Sequence, residues 1–344
     1  MQTKLLPVTP ESLSEAGELI RSGALVAFPT ETVYGLGANA LDAAAVKRIF
    51  AAKGRPGDNP LIVHISAIDQ LAPLIACDPA PAALKLMAAC WPGPMTLIFP
   101  KSAAVPAEVT AGLDTVAIRY PAHPAARALN DAARRPIAAP SANRSGRPSP
   151  TTAAHVLEDM DGRIPLILDG GPCDVGLEST VIDVTGDVPR ILRPGGVTPE
   201  RIEAVCGSVV VDDAVLRPLH EGERPRSPGM KYRHYAPAGA LTIVQGEESA
   251  VIGDIRRLYD DALAQGRRPL ILALDAHIPA YGDRRVLSLG VDAEAMARSM
   301  FARLREADGL GADVLFSEAI ATDGVGLAVM NRLERAAGFC VKNL

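Results

Sequence analysis

Short apolar runs and helical patterns alternate along the first part of the chain. Apolar residues recur every three or four positions in a helix, whereas they fill a buried strand continuously. Continuous runs of strand length lie at 24–30, 61–66, 95–100, 115–120, 136–140, 165–169, 180–184 and 190–193. Helical spacing is found within 13–20, 42–53, 79–90, 123–134 and 151–160. This interleaving predicts an α/β fold built on a twisted mixed sheet with flanking helices.

The pattern stops at 216–239 and then starts again. That stretch is rich in Pro, Arg and Gly and has no hydrophobic period, which indicates a linker. Beyond it, strands are predicted at 241–245, 269–274, 285–289 and 313–317, and helices near 249–265, 291–307 and 325–337. We therefore predict a first domain over 1–215, a linker over 216–239 and a small Rossmann-like α/β domain over 240–344. No GxGxxG turn follows the first strand of the second domain, so nothing indicates a dinucleotide there.

Composition argues against several classes of protein. The 344 residues are 48% hydrophobic, yet no apolar run reaches the roughly 18–20 residues that span a bilayer. Five cysteines are scattered without a CxxC pair, which argues against a disulfide framework and against a zinc site. The first residues contain no apolar stretch with a cleavage site. We therefore expect a cytoplasmic protein with no membrane partner and no metal site of its own.

The charge of the chain restricts its partners further. The formal net charge is −5, whereas a protein that depends on contacts along a nucleic-acid backbone is usually basic. Any recognition of phosphate therefore has to come from local groups of basic residues. Five loops of the first domain together carry Lys, Arg and His along with Ser and Thr.

The first of these loops is FPTETVYGLG (28–37), which follows a predicted buried strand. In α/β sheets, ligands bind just beyond the carboxyl ends of strands. Thr30 and Thr32 could hydrogen-bond a ligand there, and Gly35 and Gly37 would let it approach the backbone closely. The alternative is an ordinary strand–turn–helix whose hydroxyls cap the turn.

The second loop is KGRPGDNPLIVHIS (53–66), in which Lys53 and Arg55 come just past a predicted helix C-terminus. These cations could hold an anion, or they could only balance the negative end of the helix dipole. In the strand that follows, alternation places Leu61, Val63 and Ile65 on one face, and Ile62 and His64 on the other. His64 is accordingly either a ligand-binding residue or a satisfied core histidine.

The third segment is DTVAIRYPAH (114–123), which places Arg119 inside an apolar strand. A buried and unpaired charge is very costly, so this arginine requires a partner. That partner is either a carboxylate of the protein or a carboxylate or phosphate of a ligand. The residues alone leave both interpretations open.

The remaining two segments also follow or begin strands. PIAAPSANRSGRPSPTT (136–152) combines Ser and Gly with two arginines, which suits phosphate contacts but also a flexible surface loop. GLESTVIDV (176–184) and RPGG (193–196) add hydroxyls at a strand start and an arginine at a strand end. Positive charge gathered in an acidic protein points to a small polyanion such as ATP. Without a P-loop, a Ser-His-Asp arrangement or an HExxH motif, the chemistry indicated is positioning and charge stabilisation.

The strings PTETVYGLG, K-x-RP with NPLIVHI, TVAIRYP, APSAN and ESTV stand in the order typical of one family. Over about 10–205 the chain resembles the YrdC family of threonylcarbamoyl-AMP synthases, and SPGMKYRHYAP (227–237) resembles the long, two-domain form. The resemblance implies a YrdC-like first domain and a nucleotidyltransferase that joins L-threonine, bicarbonate and ATP into L-threonylcarbamoyladenylate. The product would serve a downstream tRNA threonylcarbamoyl transferase that modifies tRNA.

The resemblance also implies a role for individual residues. The catalytic residues would be Lys53 and Arg55. L-Threonine would be held by Thr30, His64, Arg119, Ala139 and Ser179. ATP would be held by Arg55, Asn59, Thr115, Ser141, Ser149, Arg193 and Tyr235. Mg²⁺ is expected to arrive with ATP, since the sequence shows no carboxylate cage for it and Mg²⁺ commonly relies on substrate phosphates.

Two questions stay open at this point. The motif residues Lys231, Tyr232, Arg233, His234 and Tyr235 could contact nucleic acid, or their segment could close over the site as a lid that excludes water. The family resemblance favours the lid. The alternative function is an RNA- or tRNA-binding module without adenylation activity, although the acidic balance predicts only indirect or weak contact with tRNA. A carbamoyl-transfer maturation enzyme would carry Cys pairs, which this chain lacks.

Overall fold

The structure, a computed structural model, describes residues 2–215, 217 and 235–344. These residues divide into two compact units, one of 2–145 with 149–217 and one of 146–148 with 235–344. Most of the predicted linker, with Lys231, Tyr232, Arg233 and His234, lies outside the described residues. The lid interpretation of that segment therefore stays a prediction.

In the described part of the first unit, eleven strands form one mixed sheet. Their bounds are β1 Lys4–Pro7, β2 Val26–Phe28, β3 Gly35–Asn39, β4 Ile62–His64, β5 Met95–Pro100, β6 Thr115–Arg119, β7 Ile137–Ala138, β8 Leu166–Asp169, β9 Thr180–Asp183, β10 Arg190–Arg193 and β11 Val210–Val211. They lie in the order β1-β8-β2-β3-β7-β4-β6-β5-β9-β10-β11. At the centre, β4 and β6 run parallel, while β7 and β5 flank them in the opposite direction.

Helices of the same unit begin where a side chain or a proline favours a start. They are α1 Pro10–Arg21, α2 Ala43–Lys53, α3 Pro81–Cys90, α4 Ala107–Thr110, α5 Pro124–Ala133, α6 Ala153–Met160 and α7 Pro199–Cys206. The Asp42 carboxylate accepts hydrogen bonds from the first amides of α2, and Gly54 in a left-handed conformation ends that helix. Short 3-10 helices occupy Ile68–Gln70, Ala72–Leu74 and Asp213–Val215.

The two faces of this sheet are covered differently. One face carries the main core, in which Val46 and Ile49 of α2 and Leu86 of α3 pack against strand residues. On the other face, α1 and α5 cover the strands around β2 and β8. Beside that second core lies a small cluster made of strand residues alone: Ile62, Ile98, Ala117, Val181 and Leu192. The face of β4, β6, β5 and β9 is therefore the place where polar side chains can collect.

The second unit is a small parallel sheet with helices. Its strands are β12 Ala240–Gln245, β13 Pro269–Leu274, β14 Val286–Gly290, β15 Val314–Glu318 and β16 Val341–Asn343, in the order β14-β13-β15-β12-β16. Its helices are α8 Glu248–Ala264, α9 Ala293–Gly309 and α10 Gly326–Ala336, with a 3-10 helix at Asp275–Tyr281. All described pairs in this sheet are parallel. Together, the two sheets confirm the predicted fold class.

Several short elements were missed by the sequence patterns, namely β1, β3, β11, β16, α4 and α7. The predicted glycine-rich turn at 35–37 is wrong, because these residues belong to β3 and pair with β2 in antiparallel fashion. Within the described ranges, no helix has both the length and the apolar character needed to cross a membrane.

Candidate active site

A row of polar side chains crosses the centre of the large sheet at one level. His64 on β4 and Arg119 on β6 are register partners, and Thr96 on β5 is the partner of Arg119 on the other side. Residues that face each other on adjacent strands point to the same side of the sheet. The row therefore lies on the face of the small cluster around Ile62, while Leu61 belongs to the main core behind it.

Arg119 is the central member of this row, and it is 3% exposed. Its Nη2 lies 2.7 Å from Oε1 of Glu31. Its Nη1 donates to Oγ1 of Thr32 at 2.7 Å, and its Nε donates to the carbonyl of Gly93 at 3.4 Å. Of the two partners that the sequence leaves open for Arg119, this structure supplies the protein carboxylate.

The charges around Arg119 are set by burial and by each other. Burial alone raises the pKa of the Glu31 carboxyl, but the charge of Arg119 and hydrogen bonds to that carboxyl hold the pKa below its usual range. Burial, and secondly the charge of Arg119, lower the pKa of His64 to about 3. The row accordingly presents an ionised pair, Arg119 with Glu31, beside a neutral imidazole.

The His64 side chain is buried, and no residue in the described part of the chain hydrogen-bonds its Nδ1. The ring of Phe28 meets the imidazole edge-on, with 6.0 Å between the ring centroids. Gly37 leaves room for that ring, since a Cβ at this position would lie 2.9 Å from Cε1 of Phe28 and 2.8 Å from Cγ2 of Ile137. The glycine thus admits an aromatic ring rather than a ligand.

The hydroxyl of Thr30 holds the turn that follows β2. It donates to the carbonyl of Val33 at 2.7 Å and accepts from the amides of Thr32 and Val33 at 3.2 and 3.3 Å. The hydroxyls of Thr30 and Thr32 are 2.8 Å apart, so Thr30 connects with Arg119 through Thr32. The alternative of turn-capping hydroxyls therefore describes this loop well, and the loop still reaches Arg119.

Ser179 and Arg193 extend the polar row toward the far strands. The Ser179 hydroxyl lies 2.7 Å from that of Thr96 and accepts from Nη2 of Arg193 at 3.1 Å. The Nε of Arg193 also donates to the Ser179 carbonyl at 3.1 Å. The RPGG loop comes this close because a Cβ on Gly195 would lie 2.4 Å from the amide nitrogen of Thr180. A residue predicted for threonine and one predicted for ATP therefore touch.

Lys53 ends α2 with its side chain turned inward, and it is 4% exposed. Its Nζ donates to the carbonyls of Ser141 and Asn143, each at 2.6 Å, and the Ser145 amide donates to the carbonyl of Lys53 at 3.0 Å. In this structure, the ammonium group thus fastens the loop that contains Ser141. Arg55 follows Gly54, just beyond the end of α2. Its Nη2 donates to the Asn59 carbonyl at 3.2 Å, and its Cζ lies 6.0 Å from the centroid of the Phe50 ring.

Asn59 is fully buried, and neither atom of its side-chain amide finds a hydrogen-bond partner among the described residues. Burying an amide without partners costs roughly 1–3 kcal/mol or more. In native proteins such a group is paired by an ordered water or by a bound ligand. Asn59 is therefore the residue whose own geometry points most directly to a bound ligand.

The other predicted residues are placed as follows. Thr115 and Arg119 are the first and last residues of β6. The alternation of side chains along a strand places both on the same face of the sheet. The Ser149 hydroxyl donates to Oε1 of the buried Glu178 at 2.6 Å. The amide of Ala139 donates to the carbonyl of Ile62 at 2.9 Å. These contacts leave the predicted ligand roles of the three residues as predictions.

Tyr235 belongs to the second unit, where its ring lies 5.0 Å from that of Phe301, centroid to centroid. It is buried and has a φ of 65°, a left-handed conformation that is uncommon for a residue with a side chain. Its predicted contact with nucleotide stays a prediction.

Three residues of the site were missed by the sequence predictions. Glu31 stands in the PTET string, far in sequence from its partner Arg119. Thr96 lies in an apolar strand and gives no local signal. Glu178 precedes the predicted Ser179 directly. In the part of the chain that the structure describes, His, Cys, Asp and Glu side chains do not gather in groups of three or more that could hold a metal ion.

Comparison with known proteins gives two family models, the second of which begins inside the first compact unit. A family model described as "Telomere recombination" matches 18–195, and one described as "Threonylcarbamoyl-AMP synthase, C-terminal domain" matches 197–338. Threonylcarbamoyl-AMP synthase of Pyrococcus abyssi is 49% identical over 324 residues, 94% of this chain and 93% of that protein. The synthase of Bacillus subtilis is 48% identical over 340 residues, 98% of this chain and 96% of that protein.

Similarity extends to solved structures over the whole length. The crystal structure of Pyrococcus abyssi Sua5 complexed with L-threonine has a TM-score of 0.94 and 46% identity to this chain, and the match covers 99% of this chain and 100% of that one. A double alanine variant of the same protein gives a TM-score of 0.94 at 45% identity, with 99% and 98% covered.

Proposed function

The chain belongs to the family of two-domain threonylcarbamoyl-AMP synthases, and we propose that it forms L-threonylcarbamoyladenylate from L-threonine, bicarbonate and ATP and releases pyrophosphate. Three curated relatives named for this activity are 40–49% identical to it over nearly its whole length. The observation that carries the proposal is the buried polar row of His64, Arg119 and Thr96, which continues to Ser179 and Arg193.

The proposed chemistry has two steps. The amine of threonine joins the carbon of bicarbonate to give N-carboxy-threonine, and water leaves. The new carboxylate then attacks the α-phosphate of ATP, and the bond to pyrophosphate breaks. Neither step needs a covalent bond to the protein, so its contribution is to orient the reactants and to stabilise negative charge.

The threonine subsite follows from the charges of the row. Arg119 is the fixed cation proposed to attract the carboxylate of threonine. His64 is neutral because its pKa is lowered by burial, so its ring can hydrogen-bond the threonine hydroxyl without competing for the carboxylate. Thr30, Ser179 and the backbone of Ala139 complete this subsite.

The nucleotide subsite lies around Asn59, whose buried amide can pair with groups of ATP. Thr115, Ser141 and Ser149 are the further contacts proposed for ATP in the first unit. Arg55 and Arg193 would balance the charge that builds up on the departing phosphates, while Lys53 keeps the loop of Ser141 in place.

Two partners of the reaction are also part of the proposal. Mg²⁺ would enter bound to the phosphates of ATP, since Mg²⁺ commonly relies on substrate phosphates rather than on an all-protein cage. The product is a mixed anhydride that water hydrolyses readily, so it has to pass to a tRNA threonylcarbamoyl transferase in the same compartment, which we propose to be the cytoplasm.

The activity is tested by measuring pyrophosphate release from ATP with the full-length chain. We expect release only when L-threonine and bicarbonate are both present, and little release when serine or glycine replaces threonine. Release that is equal with serine or glycine, or no release with the complete mixture, would overturn the proposal.

A further inference from the structure

Glu31 lies where three loops of the first unit meet. Its Oε1 pairs with Nη2 of Arg119 at 2.7 Å and accepts from the amide of Ala122 at 3.1 Å. Its Oε2 accepts from the amide of His123 at 3.4 Å. Its backbone carbonyl accepts from the amide of Val175 at 2.8 Å. A single buried residue thus holds the strand end at Arg119, the turn at 122–123 and the loop at 173–179.

Residues proposed for threonine lie in the turn of Glu31 itself and in two of the segments that it contacts. Thr30 shares the turn of Glu31, Arg119 ends β6, and Ser179 directly precedes β9. These residues are far apart in the sequence, so something has to fix their relative positions. The contacts of Glu31 do this with both its side chain and its backbone.

The negative charge of Glu31 is as important as its hydrogen bonds. Arg119 is almost completely buried, and a buried guanidinium without an opposite charge is strongly destabilising. The Glu31 carboxylate compensates this charge through an ion pair at 2.7 Å from Nη2, which holds the guanidinium in place. The Thr32 hydroxyl accepts from Nη1 on the same guanidinium, so it contributes to the same alignment.

We propose that Glu31 is the positioning residue of the threonine subsite, which orients Arg119 and joins the three loops that surround the amino acid. This inference rests on the proposed function, because it assigns the subsite to threonine. Glu31 acts through Arg119. The pKa of its carboxyl is lowered by Arg119, so it stays ionised at neutral pH and is a poor proton acceptor for the amine of the substrate.

Glu31→Gln tests the inference, because the amide keeps the size and one acceptor of the side chain but removes its charge. We expect the KM for threonine to rise by about tenfold or more, the effect of one hydrogen bond to a charged group, while kcat and the KM for ATP change less than about threefold. Glu31→Asp, which keeps the charge, should recover part of the threonine affinity.

Thr32→Val provides a second variant, since it keeps the shape of the side chain and removes the hydroxyl that accepts from Nη1 and contacts the Thr30 hydroxyl. It should also raise the KM for threonine selectively, and it decides the question if Glu31→Gln does not fold in a thermal unfolding control. Unchanged threonine affinity in the folded variants, or equal rises in the KM values of threonine and ATP, would overturn the inference.

Calorimetric titration of threonine into the wild type and the variants separates this inference from the proposed function. If the wild type binds threonine but releases no pyrophosphate, the proposed function fails, and the affinities still test Glu31. If the wild type is active and binds as tightly as the folded variants, the positioning role alone is wrong.

Discussion

At the scale of single residues, Arg119 illustrates what a sequence can and cannot specify. An arginine inside an apolar strand requires a charged partner, and this need can be predicted from the strand alone. The partner itself cannot, because Glu31 reaches Arg119 across strands that are distant in sequence. The same holds for Thr96, which stands in an apolar strand and contacts Ser179 only once the sheet has formed.

The ion pair of Arg119 predicts a specific stability effect. Arg119→Ala should lower the free energy of unfolding by about 3–5 kcal/mol and abolish threonine-dependent turnover, because it leaves Glu31 buried and unpaired. The double change Arg119→Met with Glu31→Gln should recover much of the stability but none of the turnover. Urea unfolding and pyrophosphate assays measure the two effects.

Arg190 provides a matched control, since it is also a strand arginine but has a half-exposed side chain 3.6 Å from Asp212. Arg190→Ala should lower the free energy of unfolding by less than about 1 kcal/mol. Equal costs at Arg119 and Arg190 would contradict the importance given to the buried pair.

His64 predicts a dependence of stability on pH. Its pKa is about 3 in the folded protein, against about 6.5 in the unfolded chain. The folded state therefore binds fewer protons below pH 6.5, and the contribution of His64 to the free energy of unfolding falls by about 1.4 kcal/mol per pH unit as the pH drops from 6.5 toward 3. Urea unfolding of the wild type and of His64→Gln at pH 6.5 and 5 should show that the free energy of unfolding falls less in the variant as the pH drops. Identical slopes would show that His64 is not held neutral by the fold.

At the scale of secondary-structure elements, the long helices and buried strands could be predicted because their apolar spacing is clear. The missed strands are short, and β1 and β11 form the edges of the large sheet, where little apolar surface is buried. Gly35 and Gly37 predict a turn, because glycines are rare in strands, whereas both glycines lie in β3. The room that they leave for Phe28 is visible only once β2 and β3 are paired.

The end of α2 predicts how one element supports the nucleotide subsite. Lys53→Met should leave the carbonyls of Ser141 and Asn143 without their donor, which costs about 1–3 kcal/mol each and loosens the loop of Ser141. We expect the KM for ATP to rise more than the KM for threonine, as measured by pyrophosphate release. Lys47→Met is the matched control on the same helix, because Lys47 is exposed and pairs with Glu108 at the surface. A similar effect of the two changes would contradict the role given to Lys53.

At the scale of the whole molecule, composition and charge lead only to an acidic α/β protein that gathers cations around a small anion. The order of the five motifs predicts ATP and L-threonine as ligands. Relatives that are similar over nearly the full length support threonylcarbamoyl-AMP synthesis rather than an RNA-binding module. The Asn59 amide, which has no hydrogen-bond partner among the described residues, adds an independent physical reason for a ligand in the first unit.

The central claim is that one chain unites threonine, bicarbonate and ATP in a single adenylate. Mass spectrometry of the reaction products tests it most directly, with ¹³C-labelled bicarbonate as the only source of the carbamoyl carbon. We predict a threonylcarbamoyl-AMP species that is heavier by one mass unit with the label and is absent when threonine or bicarbonate is left out. Pyrophosphate release without this species, or a product that does not take up the label, would contradict the claim.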